Sequence, residues 1–370
     1  MNSLAVNLGD VTKIKTGKLD ANASSEDGEY PFFTCAQKPL RISSYSYDCE
    51  CVLIAGNGDL NVKYYEGKFD AYQRTYIVEV LPEKRSKLHL RYAYHFLETY
   101  LDTLREQSIG GIIKYIKMGN LTDAQIPLPP LAEQKRIAAI LDAADALRAK
   151  RREALAQLDA LLQSTFLTLF GDPVENPMGW PVVTVGAEVA FLTSGSRGWA
   201  QYYAVVGDVF IRIQNLRGGV LDLSDIAYVN APESAEAKRT KVEPGDVLLS
   251  ITADLGRTAV VPEGIGKAHI NQHLAILRFR SMNPTFVSHQ IASAGCQTQF
   301  VSLNRSAVKA GLNFNDVRSV RLMNPPIPLQ RRFAAIVESI ERQKTAQRAH
   351  LAELDALFAV LQHRAFRGEL

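Results

Sequence analysis

Polar, basic and aromatic side chains gather in glycine-flanked segments of this chain, in types suited to gripping a polyanion and reading hydrogen-bonding edges. The first half carries Asn57, Asn61, Lys63, Tyr64, Tyr65, Lys68, Tyr72, Gln73 and Arg74. The second half carries Arg197, Arg212, Gln214, Asn215, Arg217, Arg257, Lys267, His269, Asn271, Gln272, His273, Arg305 and Lys309. Arg, Lys, Asn and Gln match the major-groove edges of guanine and adenine, and Lys and Arg also neutralise phosphate. The same residue types sit solvated on any protein surface, so these are candidates for nucleic-acid contact rather than a motif. Gln73 and Gln272 form the most pointed pair. Gly67-Lys68-Phe69-Asp70-Ala71-Tyr72-Gln73-Arg74 aligns with Gly266-Lys267-Ala268-His269-Ile270-Asn271-Gln272-His273, and an apolar run follows each. Either glutamine reads a base or it holds the scaffold.

Other spacings suggest chemistry and then fail a requirement of it. His269 and His273 stand four apart, as zinc-binding histidines do on a helix, but no glutamate lies between them and a strand-like run follows, so no metal is expected. Asn324-Pro325-Pro326-Ile327 matches the Asn-Pro-Pro of amino-group DNA methyltransferases but lacks the aromatic that would stack on a flipped base. Its counterpart Leu128-Pro129-Pro130-Leu131 lacks the asparagine, and both read better as proline entries into helices. Gly56-Asn57-Gly58 and Gly264-Ile265-Gly266 are turn signals, and no glycine-rich phosphate loop is present. The four cysteines (Cys35, Cys49, Cys51, Cys296) have no Cys-x-x-Cys spacing, so reduced thiols are expected. No Ser/His/Asp or Cys/His set stands out, and no catalytic residue or cofactor is assigned to the chain. At 370 residues, 46% hydrophobic and 22% charged, it has room for two or three domains of ordinary globular composition. A formal charge of +3 permits nucleic-acid binding without arguing for it. No apolar run approaches the ~18 residues of a membrane span. Lys13 and Lys15 interrupt any apolar start, so a cytoplasmic protein is expected.

The elements that would position these residues occur twice. Arg136 to Leu162 reads RIAAILDAADALRAKRREALAQLDALL, and 196 residues later Arg332 to Phe358 reads RFAAIVESIERQKTAQRAHLAELDALF. Both stretches follow a Pro-Pro pair and are rich in strong helix formers. The first predicts a helix from about Leu131 to Phe170 with Gly171 as its C-cap, roughly 60 Å long at 1.5 Å per residue. Ile137, Leu141, Ala144, Arg148, Arg151, Leu155, Leu158, Leu162, Thr165 and Leu169 step by fours and threes. Phe333, Val337, Ile340, Lys344, Gln347, Leu351, Leu354, Phe358 and Leu361 do the same, so each helix carries a coiled-coil seam with a polar middle. The order globule, helix, globule, helix predicts an antiparallel pair with a pseudo-two-fold axis. Arg148 and Arg151 would lie near Lys344 and Gln347, with Asp145 and Glu341 pairing along the helix. That centre reads as a solvated gap or register device, or else as a place where partner subunits dock. Cys51-Val-Leu-Ile-Ala, Tyr76-Ile-Val-Glu-Val, Val247-Leu-Leu-Ser-Ile and Leu274 to Phe279 predict strands. Asp10 to Gly17 and Glu188 to Gly195 look like matching segments near each globule's start. The fold class expected is α+β. Two mixed α/β globules, 1–125 and 172–323, are separated by a long antiparallel two-helix coiled coil made of 126–171 and 324–370.

With those residues in view, the chain resembles a specificity (S) subunit of a type I restriction-modification system. IPLPPLAEQKRIAAILD (Ile126 to Asp142) and its echo PPIPLQRRFAAIVESIE (Pro325 to Glu341) carry the likeness. YPFFTC, LIAGNGDLNVKYY and AYQRTYIVE support it in the first globule; FIRIQNLRGG, GDVLLSITADLGRTAVVPEG and INQHLAILR do so in the second. The resemblance implies two target recognition domains, each reading half of a bipartite site in double-stranded DNA. It implies a helical spacer that sets the unread gap and docks two modification (M) subunits, with restriction (R) subunits added in the full assembly. S-adenosylmethionine is then expected on the M subunits and none on this chain, which would be non-catalytic. One departure is visible: the second helix entry keeps only Gln330 of the Ala-Glu-Gln that follows the first Leu-Pro-Pro-Leu. A coiled-coil adaptor that binds only protein, and a self-sufficient DNA methyltransferase or nuclease, are the rival readings.

Overall fold

A computed structural model describes residues 5–304 and 311–370. Contacts divide the chain into two compact units. One runs up to Glu153 and takes in Arg348–Leu370; the other is Ala154–Gln347. The expected helices are both present, as Leu131–Phe170 and Ile327–Ala365. Gly171 ends the first one in the left-handed region, φ +78°, with its N–H donating to the Leu167 carbonyl at 2.8 Å. Among the described residues no helix is long and apolar enough to cross a membrane.

The fold is α+β, and each unit builds it from the same strand plan. In the first, a six-stranded sheet runs in the order Thr12–Thr16, Thr75–Val80, Tyr47–Ala55, Val62–Ala71, Tyr30–Phe33, Leu40–Ile42. In the second, Val189–Ser194, Leu274–Phe279, Val247–Ser250 and Thr258–Val260 repeat the first four positions, antiparallel throughout. A parallel pairing then follows in both. Tyr30–Phe33 lies beside the end of Val62–Ala71, and Asp208–Ile211 lies beside Ala268–Ile270. The long strand of the first unit is divided in two in the second. Pro262 cannot donate to a ladder, and Gly264 and Gly266 take φ +76° and +78°, so the chain leaves the sheet between Val260 and Ala268.

Two glycines show that the two scaffolds are one design. Gly17 and Gly195 follow the matching edge strands. A Cβ built on Gly17 would stand 2.1 Å from the Ala71 carbonyl oxygen, and one on Gly195 would stand 1.9 Å from that of Asn271. Only a residue without a side chain lets the two backbones approach so closely. Each unit is then closed by a short antiparallel pair, Ala5–Asn7 with Gln125–Pro127 and Val182–Thr184 with Arg321–Met323.

Within each unit the apolar face of the long helices completes the core. Ile137, Ala138, Leu141 and Ala144 join Leu8, Val52, Val78, Tyr92, Phe96 and Phe358 in the first. Leu162, Phe166, Phe170, Phe333, Val337 and Ile340 join Val247, Leu277, Phe286 and Leu322 in the second. The sequence stripe therefore marks the buried face, although near the first helix's C-terminus Phe166 and Phe170 are the buried side chains and Leu169 packs beside them half-buried.

The polar middle of the seam differs from expectation. Within each unit the two helix segments run antiparallel, and the seam cation is met by carboxylates. Arg148 is held by Asp145 on its own helix at 2.7 Å and by Asp355 across the pair at 2.6 Å, with its guanidinium 4.2 Å from the Phe358 ring. In the other unit Lys344 is held by Glu341 at 2.6 Å and Asp159 at 2.7 Å. Asp159 and Asp355 are the aspartates of the two Leu-Asp-Ala-Leu repeats, so one charge triad is written twice. Lys344 is only 8% exposed in its side chain, and a buried cation without a carboxylate partner would be strongly destabilising. The pairing of Asp145 and Glu341 along the helix is as expected; what register adds is the repeat's aspartate from the opposite helix.

Candidate nucleic-acid interface

The helix entries hold each globule through one repeated residue. Gln134 is fully buried; its amide N–H groups donate to the Lys87 and Pro129 carbonyls at 2.7 and 2.8 Å, and its oxygen accepts the His89 N–H at 2.9 Å. Gln330 is likewise buried. It donates to Pro325 O and Asn324 Oδ1 at 2.7 and 3.0 Å and accepts from the Asn283 N–H at 2.8 Å. His89 and Asn283 are the N-cap residues of the helices Leu90–Gln107 and Pro284–Ala292. One side chain thus ties the proline entry of a long helix to the start of the helix beside it. This explains why Gln330 survives from Ala-Glu-Gln when the exposed alanine and half-exposed glutamate do not.

In the first unit, Asn57, Tyr72 and Arg74 line one open hollow together with Ile113 and Tyr115. The geometry follows from local chemistry. Gly56 lies where a Cβ would stand 2.4 Å from the Arg74 carbonyl, and Gly58 takes φ +67°, so the turn folds tightly against Arg74. Residues Ile109 and Tyr115 close a loop by exchanging two backbone hydrogen bonds of 3.0 and 2.9 Å. The Ile116 N–H to Gly56 and the Gly58 N–H to Lys114 fasten that loop to the turn. Gln73 is exposed and donates to Asp20 Oδ1 at 2.5 Å. The exposed Lys68 lies over the Tyr45 ring at 4.7 Å, and its hydrogen bond to Tyr45 holds its ammonium above the ordinary lysine value.

Lys63 and Tyr64 stand apart from the hollow. Lys63 donates to the buried Asn61, and burial lowers its pKa. Tyr64 donates to Glu50 Oε1 at 2.6 Å and packs under the Arg91 guanidinium; burial, then the Glu50 bond, raises its phenol's pKa.

The second unit places Gln272 and His273 at the matching corner. Here His273 Nδ1 meets Thr252 Oγ1 at 2.5 Å and its Nε2 meets the Gln272 amide at 3.0 Å, while Asn271 accepts the His273 N–H at 3.2 Å. Thr252 bridges to Gly311 as Asn57 bridges to Tyr115, so it occupies Asn57's position. Arg257 is paired with Asp254 at 2.5 Å. Arg212, Gln214 and Arg217 are tied to Asp225 and Asp222, at 3.4, 3.1 and 3.1 Å. The exposed pairs of Arg257 and Arg217 contribute little to stability, so these two cations can exchange their carboxylates for a phosphate, whereas the largely buried Arg212 braces the turn through the Asp225 carbonyl. Arg197 borders a separate hollow with Trp199 and Tyr202, and Lys267 is exposed.

Two candidates leave the surface set. Asn215 is 1% exposed, and its amide donates to the Asp222 and Asp225 carbonyls, which fixes a turn. His269 is buried against Trp199 and 3.4 Å from Asp208; burial lowers its pKa, so it offers no edge to a ligand. Arg305 and Lys309 lie outside the described residues. Among the described residues no three His, Cys, Asp or Glu side chains are placed to hold a metal ion.

Sequence reasoning missed Thr252 and the Ile109–Tyr115 loop. Only alignment on the bridging position exposes Thr252. The loop had a signal in Gly110-Gly111-Ile112-Ile113-Lys114, where two apolar residues follow a glycine pair instead of joining a periodic run.

The class that the fold defines is a mixed α/β scaffold used twice, each copy packed against segments of two long antiparallel helices. Residues 4–157 match the family model described as the type I restriction modification DNA specificity domain. The EcoDI specificity subunit of Escherichia coli is 42% identical over 158 residues, 43% of this chain but 34% of that protein. The EcoBI specificity subunit, also of Escherichia coli, is 26% identical over 334 residues, covering 80% of this chain and 69% of its own length. Among solved structures, an S subunit from M. genitalium shares the fold over 99% of this chain and 96% of its own, at a TM-score of 0.63 and 16% identity. A chain from a type I R-M system studied for its assembly and conformational transition shares it at 0.54 and 19% identity, covering 99% of this chain and 98% of its own. Residues 4–157 thus carry the sequence pattern of a type I restriction modification DNA specificity domain, and the chain as a whole shares the fold of the type I S subunit.

Proposed function

We propose that this chain is the non-catalytic, cytoplasmic reader of a bipartite DNA site. Each globule, 1–125 and 172–323, reads one half, and the spacer segments 126–171 and 324–370 set the gap and dock modification subunits. Those subunits would carry S-adenosylmethionine, and restriction subunits would join the full complex. The observation that carries this reading is a common scaffold with different side chains at matching corners. Asn57, Gln73 and Arg74 stand in one copy where Thr252, Gln272 and His273 stand in the other. Amide and guanidinium groups suit adenine and guanine edges, while hydroxyl and imidazole groups suit other patterns. The framework, meanwhile, repeats down to Gly17 and Gly195.

The test is the methylation pattern of the host DNA together with a footprint of the chain bound with its modification subunits. Two short protected blocks with unprotected bases between them are expected. One contiguous block would refute the reading. Arg74→Ala should relax one block and leave the other unchanged. A protein-only adaptor would show no steep loss of DNA affinity as salt rises.

A further inference from the structure

Exposed apolar side chains of the first unit concentrate in one short stretch. Ile112 is 104% exposed, Ile113 62%, Ile109 42% and Met118 41%. Single exposed apolar residues are common, but four in ten residues form a patch that calls for a partner. The loop that carries it is fastened at its base. Gly110 takes φ +117° and sits where a Cβ would be 2.6 Å from the Ile113 carbonyl, and the paired bonds between Ile109 and Tyr115 clamp the loop's base. Ile113 lines the same hollow as Asn57 and Arg74, and Ile112 precedes it in the clamped loop, fully exposed. Among the described residues neither the Asn57 amide nor the Arg74 guanidinium has a hydrogen-bond or ion-pair partner.

The geometry points to Ile112 and Ile113 as readers of the thymine 5-methyl group, an inference that rests on the DNA-reading function proposed above. An amide and a guanidinium can bond adenine and guanine edges in the major groove, but neither can recognise the methyl that thymine presents there. A branched apolar side chain can, by removing that methyl and its own surface from water together. The occupant that fits amide, guanidinium and isoleucine side by side is a duplex edge carrying a purine next to a thymine. An apolar protein surface would leave Arg74 and Asn57 desolvated and unpaired.

The experiment measures affinity of the full chain, with its modification subunits, for duplexes bearing the host's methylated site. Each thymine is replaced in turn by deoxyuridine, which removes only the methyl. One substitution in one half-site should weaken binding about fourfold, the equivalent of one methyl-sized group leaving an apolar contact. The Ile112→Ala/Ile113→Ala double variant should bind the thymine duplex more weakly by several fold and show no further loss with deoxyuridine. Both side chains are exposed, so the variant's melting temperature should match that of the unaltered chain. If every deoxyuridine duplex binds as well as its parent, or if the variant still discriminates the methyl, the inference is overturned while DNA reading stands. If the unaltered chain does not prefer the site over a scrambled duplex, the DNA-reading function itself fails.

Discussion

Replacing Gln330 with alanine should cost more stability than removing any exposed ion pair in the protein. The side chain is 1% exposed and makes three hydrogen bonds of 2.7 to 3.0 Å. Truncation leaves the buried Pro325 carbonyl and the part-buried Asn283 N–H without this partner, and each such group costs about 1–3 kcal/mol. Adding the small cavity gives a loss of roughly 4 kcal/mol, a large share of the 5–15 kcal/mol that typically stabilises a domain. The loss should be local. Amide exchange at Asn283 and along Pro284–Ala292 should accelerate on the order of a thousandfold, because about 1.4 kcal/mol corresponds to each factor of ten. Gln134→Ala should do the same at His89 and along Leu90–Gln107. Hydrogen exchange read by mass spectrometry, with urea unfolding in parallel, resolves the two. If Gln330→Ala shifts stability by less than about 1 kcal/mol, or if exchange at Asn283 is unchanged, the clamp has no energetic role.

Other expectations follow from named contacts. Lys344→Met should destabilise by about 3 kcal/mol near neutral pH, because Asp159 is solvated but Glu341, 18% exposed in its side chain, loses this cation. It should also raise the pKa of His289, since the Lys344 cation reinforces the depression that burial imposes; an NMR titration with no change in His289 would contradict this. His289 itself makes the unit acid-sensitive. Burial first, then Lys344, lowers its pKa from 6.5 to about 4, so the unfolded chain binds the proton first as pH falls. Stability from this group is complete above pH 6.5 and declines between 6.5 and about 4, by on the order of 3 kcal/mol. His289→Gln should flatten that slope in pH-dependent urea melts. Finally, Gly17→Ala and Gly195→Ala should each destabilise by about 3 kcal/mol or more, because the new methyl would stand 2.1 and 1.9 Å from a carbonyl oxygen. Limited proteolysis that finds either variant as resistant as the unaltered chain would show that the sheet edge can move.

Much of the architecture was legible because helices and strands leave short-range signatures. Proline pairs, strong helix formers and a Gly171 stop delimit Leu131–Phe170, and apolar runs between glycines mark Tyr47–Ala55, Val247–Ser250 and Leu274–Phe279. Gln73 and Gln272 stood out through their shared turn, and both lie at the corners that the fold brings forward. The candidate surface was harder to read. A polar residue in a glycine-flanked segment has the same composition whether it faces solvent, as Arg74 does, or braces a turn from within, as Asn215 does.

The sequence by itself determined the duplication, the helix pair and its antiparallel sense, because a repeat at constant spacing and a seam of fours and threes are properties of one chain direction. Tertiary structure alone decided what each polar group meets. Arg148 and Lys344 look like facing cations at equivalent heptad positions, yet register across the helix pair gives each an aspartate from the opposite helix. Gln134 and Gln330 look like ordinary first-turn residues, yet burial makes them clamps. Pairings of that kind join residues 40 to more than 200 positions apart, and no local pattern encodes which one the folded chain will bring within hydrogen-bonding distance.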